Sequence, residues 1–214
     1  MITRRRFIYT TGALLTSAPV ALLWAKDQSA CATSACAAEC GPTKATTAGP
    51  YYVSNVAPAV HINTKGAQGK RMQIRGIVLG GSNGETPLAN AQVEIWHCDS
   101  DGRYYPNGNG DVSEYQQEEI NLRGSTKTDE RGHFAFDSIV PGTYGNRRRH
   151  IHWRFVATDH VSLITQSYWS NEKGSMRDRT DFIDRDVETC RWIDFTTNSQ
   201  GEAEGTFTVQ LVRG

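Results

Sequence analysis

The residues of this chain whose spacing first suggests chemistry are two histidines one position apart, in His150-Ile151-His152. On a β-strand, residues i and i+2 point to the same face. Their Cα atoms then lie roughly 6.6 Å apart, from a rise of about 3.3 Å per residue. Two imidazoles so placed can lean onto one metal ion, and imidazole suits zinc, copper, iron and nickel. Taken alone, the pair fits equally a strand that turns two polar residues to solvent.

The flanking residues narrow this. Tyr144 stands six positions before His150, in Pro141-Gly142-Thr143-Tyr144, and Tyr104 follows Gly102-Arg103. A phenol titrates near pH ~10, so an unassisted tyrosine is a poor ligand at neutral pH. A strongly acidic trivalent ion can hold it as phenolate. Two phenolates and a hydroxide also neutralise a 3+ charge, which matters in a pocket of low dielectric. Two tyrosines plus two histidines therefore form a coherent set for Fe(III) and a poor one for Zn(II) or Mg(II). Other residues carry plainer readings. Arg147, Arg148 and Arg149 alone read as the charge run of a solvated edge strand. Trp96 alone reads as a core aromatic, and His97 and His133 as structural or surface residues.

Elements that could position such a set are legible as strands. Met72, Ile74, Gly76 and Val78 share one face of a strand opening at residue 71, and Gly80-Gly81-Ser82-Asn83-Gly84 is a turn. Further strands are expected at 91–96, 133–136, 149–157, 163–169 and 205–212. Sustained helical spacing of apolar residues is missing from the body, and residues 171–195 read as a long loop with a short helical piece. Short strands separated by Gly/Pro turns predict an all-β, two-sheet sandwich with long loops around a metal site.

The 214 residues suit one domain plus a targeting segment. Lys+Arg and Asp+Glu both number 23, so the formal net charge is zero and no nucleic-acid or acidic-polymer partner is expected. Residues 1–30 read as a signal: Thr3-Arg4-Arg5-Arg6-Phe7-Ile8 is a twin-arginine-like charged region, followed by a short apolar stretch. That predicts export, to a periplasm or beyond, by dedicated machinery. Residues 31–46 read as a linker or an arm lying on the body, and 47–214 as the domain. Cys31, Cys36, Cys40, Cys98 and Cys190 make an odd number, so their pairing is left open, as is the signal cleavage site.

Four stretches carry a resemblance: TAGPYY at 47–52, PLANAQVEIWHCDSDGRYY at 87–105, LRGSTKTDERGHFAFDSIVPGTYGNRRRHIHWRF at 122–155 and LITQSYW at 163–169. They resemble the intradiol ring-cleavage dioxygenases, the group of protocatechuate 3,4-dioxygenase and catechol 1,2-dioxygenase. The resemblance implies a prealbumin-like sandwich, an Fe(III) cofactor and cleavage of a catechol-type substrate by O2 to a muconate-type diacid. It implies Tyr104 and His150 as equatorial ligands, Tyr144 and His152 as axial ligands, and Arg147 and Gln166 as catalytic neighbours. Trp96 and the loop Gly49, Pro50 and Tyr51 would line the substrate pocket. Arg148 departs from the proline common in that register, and Tyr105 offers a second phenol beside Tyr104.

Two alternatives stand beside this. PLANAQVEIW and TDERGHFAFDSIVPGTY also resemble transthyretin-like and carboxypeptidase-regulatory sandwiches, which are binding modules. A metal enzyme of the same fold acting on a larger aromatic is the other. The stretch before residue 47 is shorter than the helical segment through which catechol 1,2-dioxygenases dimerise, and homo-oligomerisation is left open.

Overall fold

A computed structural model describes residues 41–214; the signal-like segment and Cys31, Cys36 and Cys40 lie outside the described residues. Twelve strands follow in chain order: β1 (Val53–Ser54), β2 (Arg71–Gly80), β3 (Thr86–Pro87), β4 (Gln92–Trp96), β5 (Gly110–Asp111), β6 (Arg123–Lys127), β7 (His133–Ile139), β8 (His150–Val156), β9 (Leu163–Trp169), β10 (Trp192–Ile193), β11 (Thr196–Thr197) and β12 (Ala203–Gln210). A single five-residue α-helix, α1 (Met176–Thr180), is described, and its N-cap Ser175 accepts from the Asp178 N–H.

The expected sandwich is present. One sheet runs β10-β9-β8-β4-β6; the other runs β11-β12-β2-β3, with β7 also paired to β2. Within the first sheet β9, β8, β4 and β6 each run antiparallel to their neighbours in that series, and in the second β12 and β2 are parallel.

The core lies where the inner faces meet. Met72, Ile74 and Val78 of β2, Phe134 and Phe136 of β7, and Phe207 and Val209 of β12 pack against Val93 and Ile95 of β4 and Ile151, Trp153 and Phe155 of β8. Gly76 falls on the inner face because nothing larger fits: a Cβ there would come within 2.3 Å of the Phe134 ring and of the Phe207 carbonyl oxygen.

The alternation that sends Ile151, Trp153 and Phe155 inward turns His150 and His152 to the other face of β8. That face is not solvated. Loops cover it, and a second apolar cluster forms there from Trp96, Cys98 and Tyr104, with Ala48, Tyr51, Tyr52, Tyr144 and Ile164 against them. Of the stretch before residue 47, the described residues pair with the sheets: Thr43 N–H donates to the Gln210 carbonyl and Thr46 N–H to that of Ile164. The segment 171–195 is irregular with short helical turns, as read from the sequence.

Candidate metal centre

Strand register sets the floor of the site. Trp96 of β4 pairs with His152 of β8, which pairs in turn with Gln166 of β9, and His150 pairs with Tyr168. Two loops lower the phenols onto this floor. Tyr104 follows a turn in which Asp99 accepts from the N–H groups of Asp101 and Arg103, and the Tyr144 carbonyl accepts from the Arg147 N–H.

The four side chains close a ring. Centroid distances are 4.7 Å for His150–His152, 5.5 Å for His150–Tyr144, 5.4 Å for Tyr144–Tyr104 and 6.1 Å for Tyr104–His152. Tyr105 is turned elsewhere, its hydroxyl donating to Asp99 at 2.8 Å.

Imidazole nitrogens are the best-defined part. His150 Nδ1 lies 2.7 Å from the Arg148 carbonyl oxygen. A carbonyl only accepts, so Nδ1 carries the proton and Nε2 presents its lone pair. His150 Nε2 and His152 Nε2 are 3.1 Å apart. Two nitrogens bound to one ion at right angles, each with a bond of roughly 2.0–2.1 Å, are ~3 Å apart, so this spacing fits a shared cation.

The electrostatics agree. Burial pushes His150 down to about 3, aided by the nearby Arg147 charge, and pushes His152 well below the ordinary imidazole range, so both are neutral donors. Burial raises the Tyr104 and Tyr144 phenols above their ordinary range, so a strong cation is required to hold either as phenolate. The Tyr104 hydroxyl and His152 Nδ1 are buried with no hydrogen-bond partner. A buried orphan of this kind costs ~1–3 kcal/mol unless something meets it. The donor set and the orphaned phenol fit a trivalent metal. Among the described residues no cluster of three or more His, Cys, Asp or Glu forms, so the two-His-one-carboxylate arrangement of Fe(II) oxygenases is not built here.

Aromatic walls surround the ring. Trp96 stacks on His152 at 5.0 Å, and Tyr51 stacks on Tyr104 at 4.2 Å and meets Tyr144 edge-on at 5.8 Å. Gly49 passes so close that a Cβ there would lie 3.2 Å from His152 Cε1, and its φ of +71° suits glycine. Pro50 stands exposed on the turn between them.

Arg147 reaches the site through a network. Its Nη2 donates to Gln166 Oε1 at 2.5 Å, and its Nε lies 3.0 Å from both Asp181 oxygens. Gln166 Nε2 donates to the Thr47 carbonyl at 2.9 Å. Arg148 does not crowd the histidines. It is 1 % exposed, pairs with Asp178 and Asp181, and lies over the rings of Tyr168 and Trp192. Arg149 pairs with Glu172. The three arginines are therefore not a solvated charge run, and β8 is no edge strand.

Sequence reasoning missed Tyr168, Asp181 and Asp184. The Tyr168 hydroxyl is shared between Asp184 at 2.6 Å and Gln166 Oε1 at 3.0 Å, and Asp184 pairs with Arg191. Tyr168 could have been found from its i+2 relation to Gln166; the aspartates lie in irregular chain and carry no such signal.

Fold and side chains together define a β-sandwich with a buried histidine–tyrosine cluster on one sheet. The sequence profile described as "Dioxygenase" matches residues 47–188. Catechol 1,2-dioxygenase 2 of Acinetobacter lwoffii is 31% identical over 147 residues, 59% of this chain and 50% of that protein. Catechol 1,2-dioxygenase of Candida albicans is 34% identical over 100 residues, 38% of this chain and 31% of that protein. The chain thus spans half or less of the length of these curated relatives. The dioxygenase domain of a dioxygenase carbohydrate-binding fusion from Streptomyces sp. SirexAA-E superposes with a TM-score of 0.65 at 26% identity, covering 81% of this chain and 100% of that one. The chain belongs to the intradiol ring-cleavage dioxygenase family.

Proposed function

We propose that this protein is an Fe(III) dioxygenase that opens a catechol-type ring between its two hydroxyl-bearing carbons with O2, giving a muconate-type diacid. The observation that carries the reading is the closed ring of His150, His152, Tyr104 and Tyr144, with both Nε2 atoms 3.1 Å apart. These four residues would hold the iron. When bound, the ion supplies Lewis acidity and a template for the two adjacent substrate oxygens.

The protein's own groups divide the remaining work. Tyr144 is half-buried where Tyr104 is buried, so, held as phenolate by the ion, it would be the one of the two able to take a substrate proton on its oxygen. Arg147, aimed by Asp181, presents fixed positive charge to negative charge developing on the substrate. Gln166, fixed by Thr47 and Arg147, orients an oxygen at the centre. Trp96 and Tyr51 wall the aromatic ring and exclude water.

Oxygen uptake and product spectra of iron-loaded protein against catechol, protocatechuate, hydroxyquinol and chlorocatechols test the reaction. Tyrosinate-to-Fe(III) charge transfer makes the pure protein burgundy-red. A colourless, iron-replete protein that consumes no oxygen on any of the four overturns the reading and favours a binding module. Tyr144→Phe and His150→Ala each weaken colour and turnover; full iron content, absorbance and rate in either variant would remove that residue from the set. Residues 1–30 are proposed as a twin-arginine export signal, tested by N-terminal sequencing of the exported fraction. Finding the protein only in the cytoplasm with its N-terminus intact excludes it.

A further inference from the structure

One buried cation has no part in the chemistry above. Arg123 of β6 stands across from Trp96 in the sheet register and is 4 % exposed. Its donors go to three main-chain oxygens: Nε to the Tyr105 carbonyl at 2.6 Å, Nη1 to that of Tyr51 at 2.8 Å and Nη2 to that of Pro106 at 3.3 Å. Arg147, Arg148, Arg149, Arg154 and Arg191 each pair with a carboxylate, whereas Arg123 pairs with none among the described residues. A buried guanidinium is costly unless its N–H groups are met, so the cation and the three carbonyls hold one another in place.

Those carbonyls belong to the two segments that carry the stacked tyrosines. One is the carbonyl of Tyr51 itself, and another is that of the residue directly after Tyr104. The two rings lie 4.2 Å apart and 15° from parallel. The main chain on either side of Arg123 is pinned as well. Leu122, fully buried, has φ +54°, and its N–H donates to the Ile62 carbonyl. That left-handed conformation is seldom taken by a residue with a side chain. At Gly124 a Cβ would lie 2.4 Å from the Ala59 carbonyl oxygen.

We propose that Arg123 is a positioning residue that joins the Tyr51 loop and the Tyr104 segment into one unit, fixing the aromatic wall against the metal-binding phenol. The role of what is positioned rests on the function proposed above; the joining itself is a property of the metal-free chain. Lysine cannot replace it, because a single ammonium cannot span three carbonyls on two segments in the planar fork that guanidinium provides.

Arg123→Lys and Arg123→Gln in the full chain test this. Hydrogen exchange in metal-free protein is read on peptides covering 47–55 and 103–110, with 150–169 as reference. Both loop peptides exchange about tenfold faster in the variants while the reference is unchanged. In iron-loaded protein the tyrosinate band shifts, and KM for catechol rises several-fold, by more than kcat falls. Wild-type exchange in either loop, or loosening in step with 150–169, overturns the proposal. If Arg123→Gln does not fold, Arg123→Lys, which keeps the charge, decides it. Should the wild-type protein show neither colour nor oxygen uptake, the functional reading falls, and the exchange pattern still decides the joining role.

Discussion

A single carboxylate illustrates how residues outside the ring govern it. Asp181 receives the Arg147 Nε on both oxygens and the Arg148 N–H and Nε on one of them, so the buried Arg148 and the partly buried Arg147 both lean on it. Removing one member of a buried ion pair leaves the other charge uncompensated, at about 3–5 kcal/mol. Asp181→Asn should therefore destabilise by about 3 kcal/mol, read in urea unfolding. It should also lower kcat/KM by ~10–100-fold, since Arg147 loses its aim toward Gln166. Glu172→Gln, which removes the half-buried partner of Arg149, should cost under ~1 kcal/mol and leave kcat/KM unchanged. Equal losses in the two variants would show that Asp181 acts as any buried charge does. The grouping of Tyr104, Tyr144, His150 and His152 was legible in the sequence because these donor types suit one metal ion and a strand spaces the two histidines, while the two tyrosines lie in loops and were placed by the resemblance. Asp181 was not, because an aspartate in irregular chain has no period that reveals where it folds back.

Strand β8 shows what one element contributes. Its inward residues Ile151, Trp153 and Phe155 are fully buried in the main core, while its outward residues His150 and His152 form the site. Rigidity of the site thus comes from packing on the opposite face of the same strand. The loop over it is constrained at Gly49, where a side chain would be strained by the positive φ and would press His152 aside by a few tenths of an ångström. Gly49→Ala should cost about 1 kcal/mol, lowering Tm by ~2–4 °C. It should also speed iron loss to a chelator by displacing His152; unchanged iron retention would mean that the loop yields instead of the imidazole. The principal strands were readable because apolar residues alternate in them. β6 was not, since Arg123-Gly124-Ser125-Thr126-Lys127 contains no large apolar side chain. Its place in the sheet follows from backbone pairing with β4 and from close approach at Gly124, neither of which leaves a hydrophobic pattern.

At the scale of the molecule, zero formal net charge conceals an asymmetry between buried groups that titrate in acid. His97 is fully buried, with Nδ1 2.7 Å from the Cys98 carbonyl and Nε2 2.8 Å from Ser138 Oγ, and burial pushes it down to about 4. Asp181 and Asp184 sit below the ordinary carboxylate range despite burial, because Arg147 and Arg191 hydrogen-bond to them. All three bind protons more readily in the unfolded chain than in the folded one, so stability falls as pH falls. The His97 contribution is complete above its unfolded value of 6.5 and is lost on descent to about 4. That interval corresponds to on the order of 3 kcal/mol at 1.36 kcal/mol per unit. The aspartate contributions are complete above about 4 and disappear only as the pH falls through their lowered folded values. Metal-free protein should therefore lose stability continuously as the pH falls below about 6.5, the buried His150 and His152 adding to the His97 loss before the aspartates join it. His97→Gln should be less stable than wild type at pH 7.5 through its altered hydrogen bonds, yet lose less on going from pH 6.5 to 4.5. His150 and His152 are present in both proteins, so apart from the repulsion between His97 and His152 their contributions cancel in the difference. Parallel stability curves across that interval would mean that the fold does not lower the proton affinity of His97, so that burial is offset by its bonds to Cys98 and Ser138.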